Sequence, residues 1–123
     1  VCSSDLERQQ FSENIINFQA ISEKIANMYI GYRAARSFIY EAAQVIEEGR
    51  RANQEAAAAK VFASEMATKV ALDAIQVLGG YGYIREFPVE RLMRDAKLIE
   101  IGGGTSEILR NIIVKEFVRK SSK

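Results

Sequence analysis

A seam of apolar residues, spaced three and four apart, runs through the first half of the chain. This spacing places their side chains on one face of an α-helix, and the seam is longer than an ordinary globular helix. Gly49 stands where a C-terminal cap would end that helix. Such a helix must bury its seam against other helices, so the pattern predicts a helical bundle. The seam consists of Phe18, Ile21, Ile25, Met28, Tyr32, Ala35, Ile39, Ala42 and Ile46.

Three further helices are predicted from apolar spacing and from capping residues. The second runs from about Ala52 to Leu78, where two glycines follow it. The third begins at Pro88, because proline in the first turn of a helix costs no hydrogen bond. The fourth begins near Thr105, a good N-cap residue. No stretch shows convincing strand alternation, so we predict an all-α chain.

Long antiparallel helices with short connections form up-down bundles. Only two of the predicted helices are long, so the bundle is incomplete. The predicted fold is therefore an up-down helical bundle that lacks its first helix. Its apolar faces would then be partly uncovered. Residues 1–5 show no helical pattern, and we interpret them as a scar left by cloning or sequencing.

The residue types that are missing exclude several kinds of catalytic site. The 123 residues include no histidine and a single cysteine, Cys2. A Ser-His-Asp triad, a Cys-His pair, a histidine metal site and an internal disulfide are therefore impossible within this chain. The net charge of +1 creates no field that would favour nucleic acid. No apolar run approaches the roughly 18–20 residues that a membrane span needs.

The segment Ile101–Glu107 contains three consecutive glycines followed by threonine and a helix. Free backbone N–H groups at the positive end of a helix suit a phosphate or another anion. Glycine also lets a flat ring or a thioester approach the backbone closely. A flexible loop that merely joins two helices would have the same pattern, so the residues alone leave both explanations open.

A second glycine cluster, Gly79–Gly82, follows the second helix. It is no dinucleotide fingerprint, because a helix rather than a strand precedes it. A helix end with a tight turn explains it, although the amide of Gln76 could bind the polar edge of a ring. Arg8 could bind a pyrophosphate as a bidentate donor, or it could be a solvated charge at a helix end. We interpret the charged segment from Arg85 to Lys97 as an ion-pair network that holds the third helix to its neighbours.

Several motifs, in order and at family spacing, make the chain from about Leu6 to Arg119 resemble the C-terminal domain of the acyl-CoA dehydrogenases. Isolated glycine loops are weak evidence, whereas this ordered set is specific. The resemblance divides the chain into non-family residues 1–5 and a partial C-terminal domain, residues 6–123. The motifs are Glu7, Arg8 and Phe11; Gln19-Ala20-Ile21; Gln76 to Tyr83; Phe87 to Arg91; Arg94-Asp95-Ala96; and Gly104 to Ile108.

The resemblance implies a cofactor, FAD, bound non-covalently between domains and across a subunit interface. It places Arg8 near the pyrophosphate of a neighbouring subunit's FAD and Gly104 beside the substrate thioester. The family usually has glycine after Phe11, where this chain has Ser12, and this weakens the match there. The cofactor-binding residues that the resemblance implies are Arg8, Gln10, Phe11, Phe18, Gln19, Gln76, Val77, Gly79, Gly80, Thr105 and Glu107.

The family removes an α-proton with a carboxylate and passes the β-hydrogen to the flavin as hydride. Gly103 stands at the usual position of that carboxylate, so no catalytic base is assigned within this chain. In the isovaleryl-CoA and long-chain branches the loop carries glycine, and the base comes from the helix that precedes this domain. The resemblance therefore places the base upstream of residue 1, while altered or lost dehydrogenase activity is the alternative. Glu100 and Glu107 are the nearest carboxylates, and neither is favoured as the base.

The leading prediction is a fragment of an FAD-dependent acyl-CoA dehydrogenase that desaturates an acyl-CoA thioester and is inactive in isolation. The partners implied are the acyl-CoA substrate, an electron-transferring flavoprotein, and further copies of the chain in a homotetramer or homodimer. The implied location is the cytoplasm of a bacterium or the mitochondrial matrix of a eukaryote. The alternatives are a flavin oxidase or monooxygenase of the same fold, and a non-catalytic helical interaction module.

Overall fold

The computed structural model of the protein describes residues 7–122. The predicted non-family segment, residues 1–5, lies outside the described residues, as do Leu6 and Lys123. Five α-helices dominate the described chain, which confirms the all-α prediction. They are α1 (Gln19–Glu47), α2 (Asn53–Leu78), α3 (Gly80–Tyr83), α4 (Val89–Ile101) and α5 (Ser106–Ser121).

The predicted helix ends are confirmed where a capping residue marks them. Helix α1 ends just before Gly49, which has a φ of 70°, a left-handed conformation that glycine adopts without strain. Pro88 immediately precedes α4. The hydroxyl oxygen of Thr105 accepts a hydrogen bond from the N–H of Ile108 at 3.3 Å, so this side chain caps α5.

Two short elements were not predicted. One is α3, a single turn directly after α2. The other is an antiparallel hairpin of strands β1 (Gln9–Gln10) and β2 (Glu13–Asn14). Its two turn residues, Phe11 and Ser12, have φ values of 51° and 67°, a region that glycine occupies most easily. This explains why a glycine would suit position 12 better than the serine of this chain.

Helix α2 is the centre of the molecule, because α1, α4 and α5 all pack against it. Close packing against α1 depends on small residues: Ala35 and Ala42 are buried, and a methyl group added to Gly31 would lie 3.0 Å from Met66. On its other sides, α2 forms two buried clusters. One joins Ala57 and Val61 to Leu109 of α5, and the other joins Ala74 and Leu78 to Val89 of α4.

The apolar seam of α1 is only partly covered by the described chain. Ala35 and Ala42 are buried, whereas Tyr32, Ile39 and Ile46 are each about half exposed. Monomeric soluble proteins rarely expose so much contiguous apolar surface, so this surface indicates a missing contact. The partly uncovered face was an expectation from the sequence.

The charged segment preceding and within α4 differs from its prediction. Arg94 pairs with Glu90, and Lys97 pairs with Glu100, both within the same helix. Among the described residues, the segment from Arg85 to Lys97 reaches a neighbouring helix only indirectly, because Glu100, the partner of Lys97, also accepts a hydrogen bond from Thr68 of α2. The spacing of three and four residues explains the pairs, because such residues are neighbours on a helix surface.

Glu116 of α5 is the best-paired carboxylate of the bundle. Its side chain is 9% exposed and accepts hydrogen bonds from Arg51 at 2.7 Å and from Arg119 at 2.9 Å. The bond from Arg51, followed by that from Arg119, lowers the pKa of Glu116 below its ordinary value. A carboxylate whose pKa is depressed by folding stabilises the folded state above its unfolded pKa, and this contribution is lost as the pH falls through the folded pKa.

We therefore expect Glu116→Gln to lower the urea midpoint of the protein at pH 7, with the difference from wild type shrinking as the pH falls below about 4. The matched control is Glu65→Gln, because Glu65 pairs with Arg110 at the surface, where both side chains are about half exposed. We expect its effect at pH 7 to be several-fold smaller. Equal midpoints for the two variants at pH 7 would contradict the role given to Glu116.

Candidate functional site

The glycine loop, residues Gly102–Thr105, joins α4 to α5. Gly103 and Gly104 have φ values of 67° and 99°, so the loop needs glycine at both positions for its shape. The N–H of Gly102 donates to the carbonyl of Leu98 at 2.7 Å. Within residues 7–122, the N–H groups of Gly103 and Thr105 donate to no protein acceptor. These groups lie at the positive end of α5, which confirms the sequence prediction of free donors there.

Lys60 of α2 fastens this loop to the centre of the bundle. Its ammonium group donates to the carbonyl of Gly102 and to the carbonyl of Gly104, each at 2.6 Å. Sequence reasoning missed Lys60. Its two partners are more than forty residues away in the sequence, so no local pattern indicates the contact. From the sequence, a lysine on an alanine-rich helix is expected to face solvent.

Neither carboxylate near the glycine loop is arranged as a base. Glu100 accepts hydrogen bonds from Lys97 at 2.8 Å and from the hydroxyl of Thr68. The bond from Lys97, followed by that from Thr68, lowers the pKa of Glu100, which makes it a weaker proton acceptor. Glu107 is exposed in the first turn of α5, where a negative charge favours the helix dipole.

The second group of predicted residues lies at the hairpin end, which we define as residues 8–14, Phe18, Gln19 and residues 76–81. One guanidinium nitrogen of Arg8 donates to the carbonyl of Leu78 at 3.1 Å. The same guanidinium group lies 5.6 Å from the ring centre of Tyr81. The hairpin is thereby fixed to the C-terminal end of α2, while the other donors of the Arg8 fork are free of intramolecular hydrogen bonds in the described chain.

The remaining residues of the hairpin end differ in exposure. Phe11 is 90% exposed and meets Phe18 edge-on, with ring centres 6.4 Å apart. Gln10, Gln19, Gln76 and Gly80 are exposed, and Gly79 is half-buried with a φ of 60°. Val77 is 4% exposed, so its side chain belongs to the core of this chain. A small cavity of about 280 Å³ lies beside Arg8 and the two phenylalanines.

The structure therefore divides the predicted cofactor residues into two groups that do not meet. The glycine loop contacts α2 at Lys60, and the hairpin end contacts α2 at Leu78. At 1.5 Å per residue, these positions are about 27 Å apart along the helix axis. Thr105 and Glu107 belong to the first group, and the other predicted cofactor residues belong to the second. The resemblance implied one set of cofactor residues, and the sequence alone does not show how far apart its members lie.

An apolar groove of about 770 Å³ opens between α1 and α2. Alanines line much of its floor, and the exposed seam residues Tyr32, Ile39 and Ile46 line its wall. Lys60 and Ile99 also line the groove, and Lys60 connects it to the glycine loop. Small residues along a groove permit the close approach of another helix.

Within the described range, no cluster of acidic, histidine or cysteine side chains could hold a metal ion. The same range contains no helix that is long and apolar enough to cross a membrane.

Comparison with known proteins identifies the glycine loop and the hairpin end as parts of a recurrent domain. A family model described as the C-terminal domain of acyl-CoA dehydrogenase matches residues 6–118. The chain is 49% identical to the mitochondrial isovaleryl-CoA dehydrogenase of Oryza sativa subsp. japonica over 114 residues, which cover 93% of this chain and 28% of that protein.

Solved structures show the same similarity. Butyryl-CoA dehydrogenase from Megasphaera elsdenii superposes with a TM-score of 0.90 at 40% identity, over 93% of this chain and 30% of that one. A complex of PigA with FAD superposes with a TM-score of 0.88 at 31% identity, over 92% of this chain and 30% of that one. The chain thus spans less than a third of the length of these relatives.

Proposed function

Because the chain belongs to the acyl-CoA dehydrogenase family, we propose that it forms part of an FAD-dependent enzyme that desaturates an acyl-CoA thioester between its α and β carbons. The observation that carries the proposal is the glycine loop, which offers free N–H groups at the start of α5. Hydrogen bonds from such groups to a thioester carbonyl acidify the neighbouring α-position.

The described residues fit FAD at two places. Arg8 keeps guanidinium donors for an anionic group such as a pyrophosphate, and the backbone at Gly80 is open, since a methyl group added there would meet no atom within 4 Å. At the other place, Thr105 and Glu107 flank the start of α5. When bound, FAD supplies the oxidant that accepts the β-hydrogen. The cofactor residues given above remain a prediction at each position.

We propose that these two places belong to different FAD molecules. Their separation of about 27 Å along α2 favours a hairpin end that serves the cofactor of a neighbouring copy. The enzyme would then need at least a dimer, in agreement with the tetramer or dimer that the resemblance implies. The electron-transferring flavoprotein as acceptor, and the mitochondrial matrix or bacterial cytoplasm as location, are part of the same proposal.

The catalytic base must come from outside the described residues if the reaction is desaturation. Gly103 carries no side chain, Glu100 is engaged by Lys97 and Thr68, and Glu107 is exposed on α5. The apolar groove between α1 and α2 includes Lys60, which binds the glycine loop, and its alanines permit the close approach of a helix. We propose that a helix from another part of the full-length chain lies in this groove and presents a carboxylate beside Gly103.

The proposed function is tested with the full-length protein loaded with FAD. It is mixed anaerobically with a panel of straight and branched acyl-CoAs while the long-wavelength flavin absorbance is followed. Bleaching by a saturated acyl-CoA is the expected result, and the acyl group that bleaches fastest names the substrate class. A flavoprotein that no acyl-CoA bleaches would overturn desaturation. Fast reoxidation of the reduced flavin by oxygen would instead favour the flavin oxidase alternative.

The role of Arg8 is tested by FAD affinity. Removing a charge-assisted hydrogen bond typically costs about 1.5–3 kcal/mol, so we expect Arg8→Ala to weaken FAD binding by about 10–100-fold. The affinity is measured by adding FAD to the apoprotein and following flavin fluorescence. Arg50→Ala is the control, because Arg50 is exposed and pairs with Glu48 alone among the described residues. Unchanged FAD affinity in Arg8→Ala would remove Arg8 from the cofactor site.

A further inference from the structure

We propose that Lys60 is a positioning residue for the glycine loop. By binding the carbonyls of Gly102 and Gly104, it holds the N–H groups of Gly103 and Thr105 on the side of the loop that faces away from Lys60, where they can donate to a ligand. The inference rests on the proposed function, in which one of the ligand atoms reached there is the carbonyl oxygen of an acyl thioester. It assigns a task to a side chain that lies outside the motifs given above.

The contacts of Lys60 are specific to the loop. Its ammonium group lies 2.6 Å from the carbonyl oxygen of Gly102 and 2.6 Å from that of Gly104. Both are charge-assisted bonds, which are shorter and stronger than bonds between neutral groups. Lys60 is half-buried on α2, the helix against which the rest of the bundle packs. The loop is therefore tied to the helix that contacts α1, α4 and α5.

The geometry of the peptide bond converts these two contacts into a direction for two donors. A trans peptide is planar, so its C=O and its N–H point in opposite directions. The structure contains no cis peptide bond in its described part. Since the carbonyl of Gly102 points at Lys60, the N–H of Gly103 points away from it. The same holds for the carbonyl of Gly104 and the N–H of Thr105.

These two N–H groups have no acceptor within residues 7–122, and neither has the N–H of Gly104 between them. They lie two residues apart in the loop, immediately before α5. The two glycines have positive φ values, and glycine backbones exchange easily between conformations. Without the bridge from Lys60, we expect the loop to visit conformations in which these N–H groups no longer point away from α2.

The test compares the full-length flavoprotein with its Lys60→Met variant by two measurements. The first is hydrogen exchange of peptides that cover residues 99–109, which needs no ligand. We expect exchange about tenfold faster in the variant, because the hydrogen bonds flanking the loop open more often. The second is the ratio of the affinities for acyl-CoA and for free CoA. We expect the variant to bind acyl-CoA about tenfold more weakly and CoA equally well, because CoA has no acyl carbonyl.

Two variants separate positioning from general stability. Lys60→Arg keeps a cationic donor and is expected to restore much of the acyl-CoA affinity. Lys69→Met removes an exposed lysine from the same helix and is expected to change neither measurement. If Lys60→Met does not fold, Lys60→Gln serves instead, since its side chain is too short to bridge both carbonyls.

Unchanged loop exchange together with an unchanged affinity ratio in Lys60→Met would overturn the proposal. Equal losses for acyl-CoA and CoA would also overturn it, because they indicate a general disturbance. If the wild-type protein binds no acyl-CoA, the proposed function fails, yet loop exchange still decides whether Lys60 positions the loop.

Discussion

Gly82→Ala is expected to lower the free energy of unfolding by about 1–3 kcal/mol or more, the range of overpacked core substitutions. A methyl group at this position would lie 2.6 Å from the carbonyl oxygen of Ile75 and 2.8 Å from its Cα. Both are backbone atoms of α2, which cannot rotate away as a side chain can. The single turn of α3 would have to lift from α2, and Arg8 would lose its contact with the ring of Tyr81.

Urea unfolding measures this effect, and Gly80→Ala is the matched control two residues earlier. Gly80 has ordinary negative φ, and a methyl group there would meet nothing within 4 Å. Replacing such a glycine restricts the unfolded chain, so we expect a gain of about 0.4–1 kcal/mol. The two substitutions should therefore have opposite signs. A Gly82→Ala protein as stable as wild type would mean that α3 is not seated on α2 as the structure has it.

The helix bounds were predictable because their causes are local. The spacing of Ile21, Ile25 and Met28 and the cap at Thr105 act within one or two turns of a helix. The hairpin before α1 was not predictable in the same way. Its strands are two residues long, too short for alternation, and its turn places Phe11 and Ser12 in a conformation that neither residue signals.

The parts of the candidate site that depend on backbone conformation were predictable from the sequence, and the parts that depend on contacts between helices were not. The glycines of the loop and the threonine that caps α5 were identified from the sequence, because their conformational needs are properties of single residues. Lys60 was missed, since its task depends on which turn of α2 faces the loop. The resemblance had assigned Arg8 to the FAD of a neighbouring subunit, but the distance between the hairpin end and the glycine loop within one chain depends on which turn of α2 each contacts, which the sequence does not show.

Gly103 is the position at which the largest effect on the reaction is expected. Its φ of 67° strains any other residue, and a methyl group added there would lie 3.8 Å from the ammonium nitrogen of Lys60. A glutamate at this position would thus extend toward Lys60 and pair with it. The ammonium group would then bind the new carboxylate in place of the glycine carbonyls, and the loop would lose its bridge.

We therefore expect Gly103→Glu to slow flavin bleaching by acyl-CoA rather than to provide a second base. Losing one well-aimed donor to a developing oxyanion typically costs about 10²–10³-fold in rate, and we expect a loss of that order. The pairing with Lys60 would also lower the pKa of the new carboxylate and weaken it as a base. Stopped-flow absorbance of the full-length flavoprotein with saturating acyl-CoA measures the rate.

Two further variants separate the causes of that loss. Gly103→Ala imposes the backbone strain without a charge, so its rate shows the share due to strain. Gly103→Gln adds the length of the side chain but cannot form an ion pair with Lys60, so the difference between it and Gly103→Glu is the share due to charge. A Gly103→Glu enzyme as fast as wild type would show that a carboxylate serves at this position after all. It would also show that the reaction does not depend on the hydrogen bonds from Lys60 to the carbonyls of Gly102 and Gly104, because the glutamate would have replaced them without slowing the reaction.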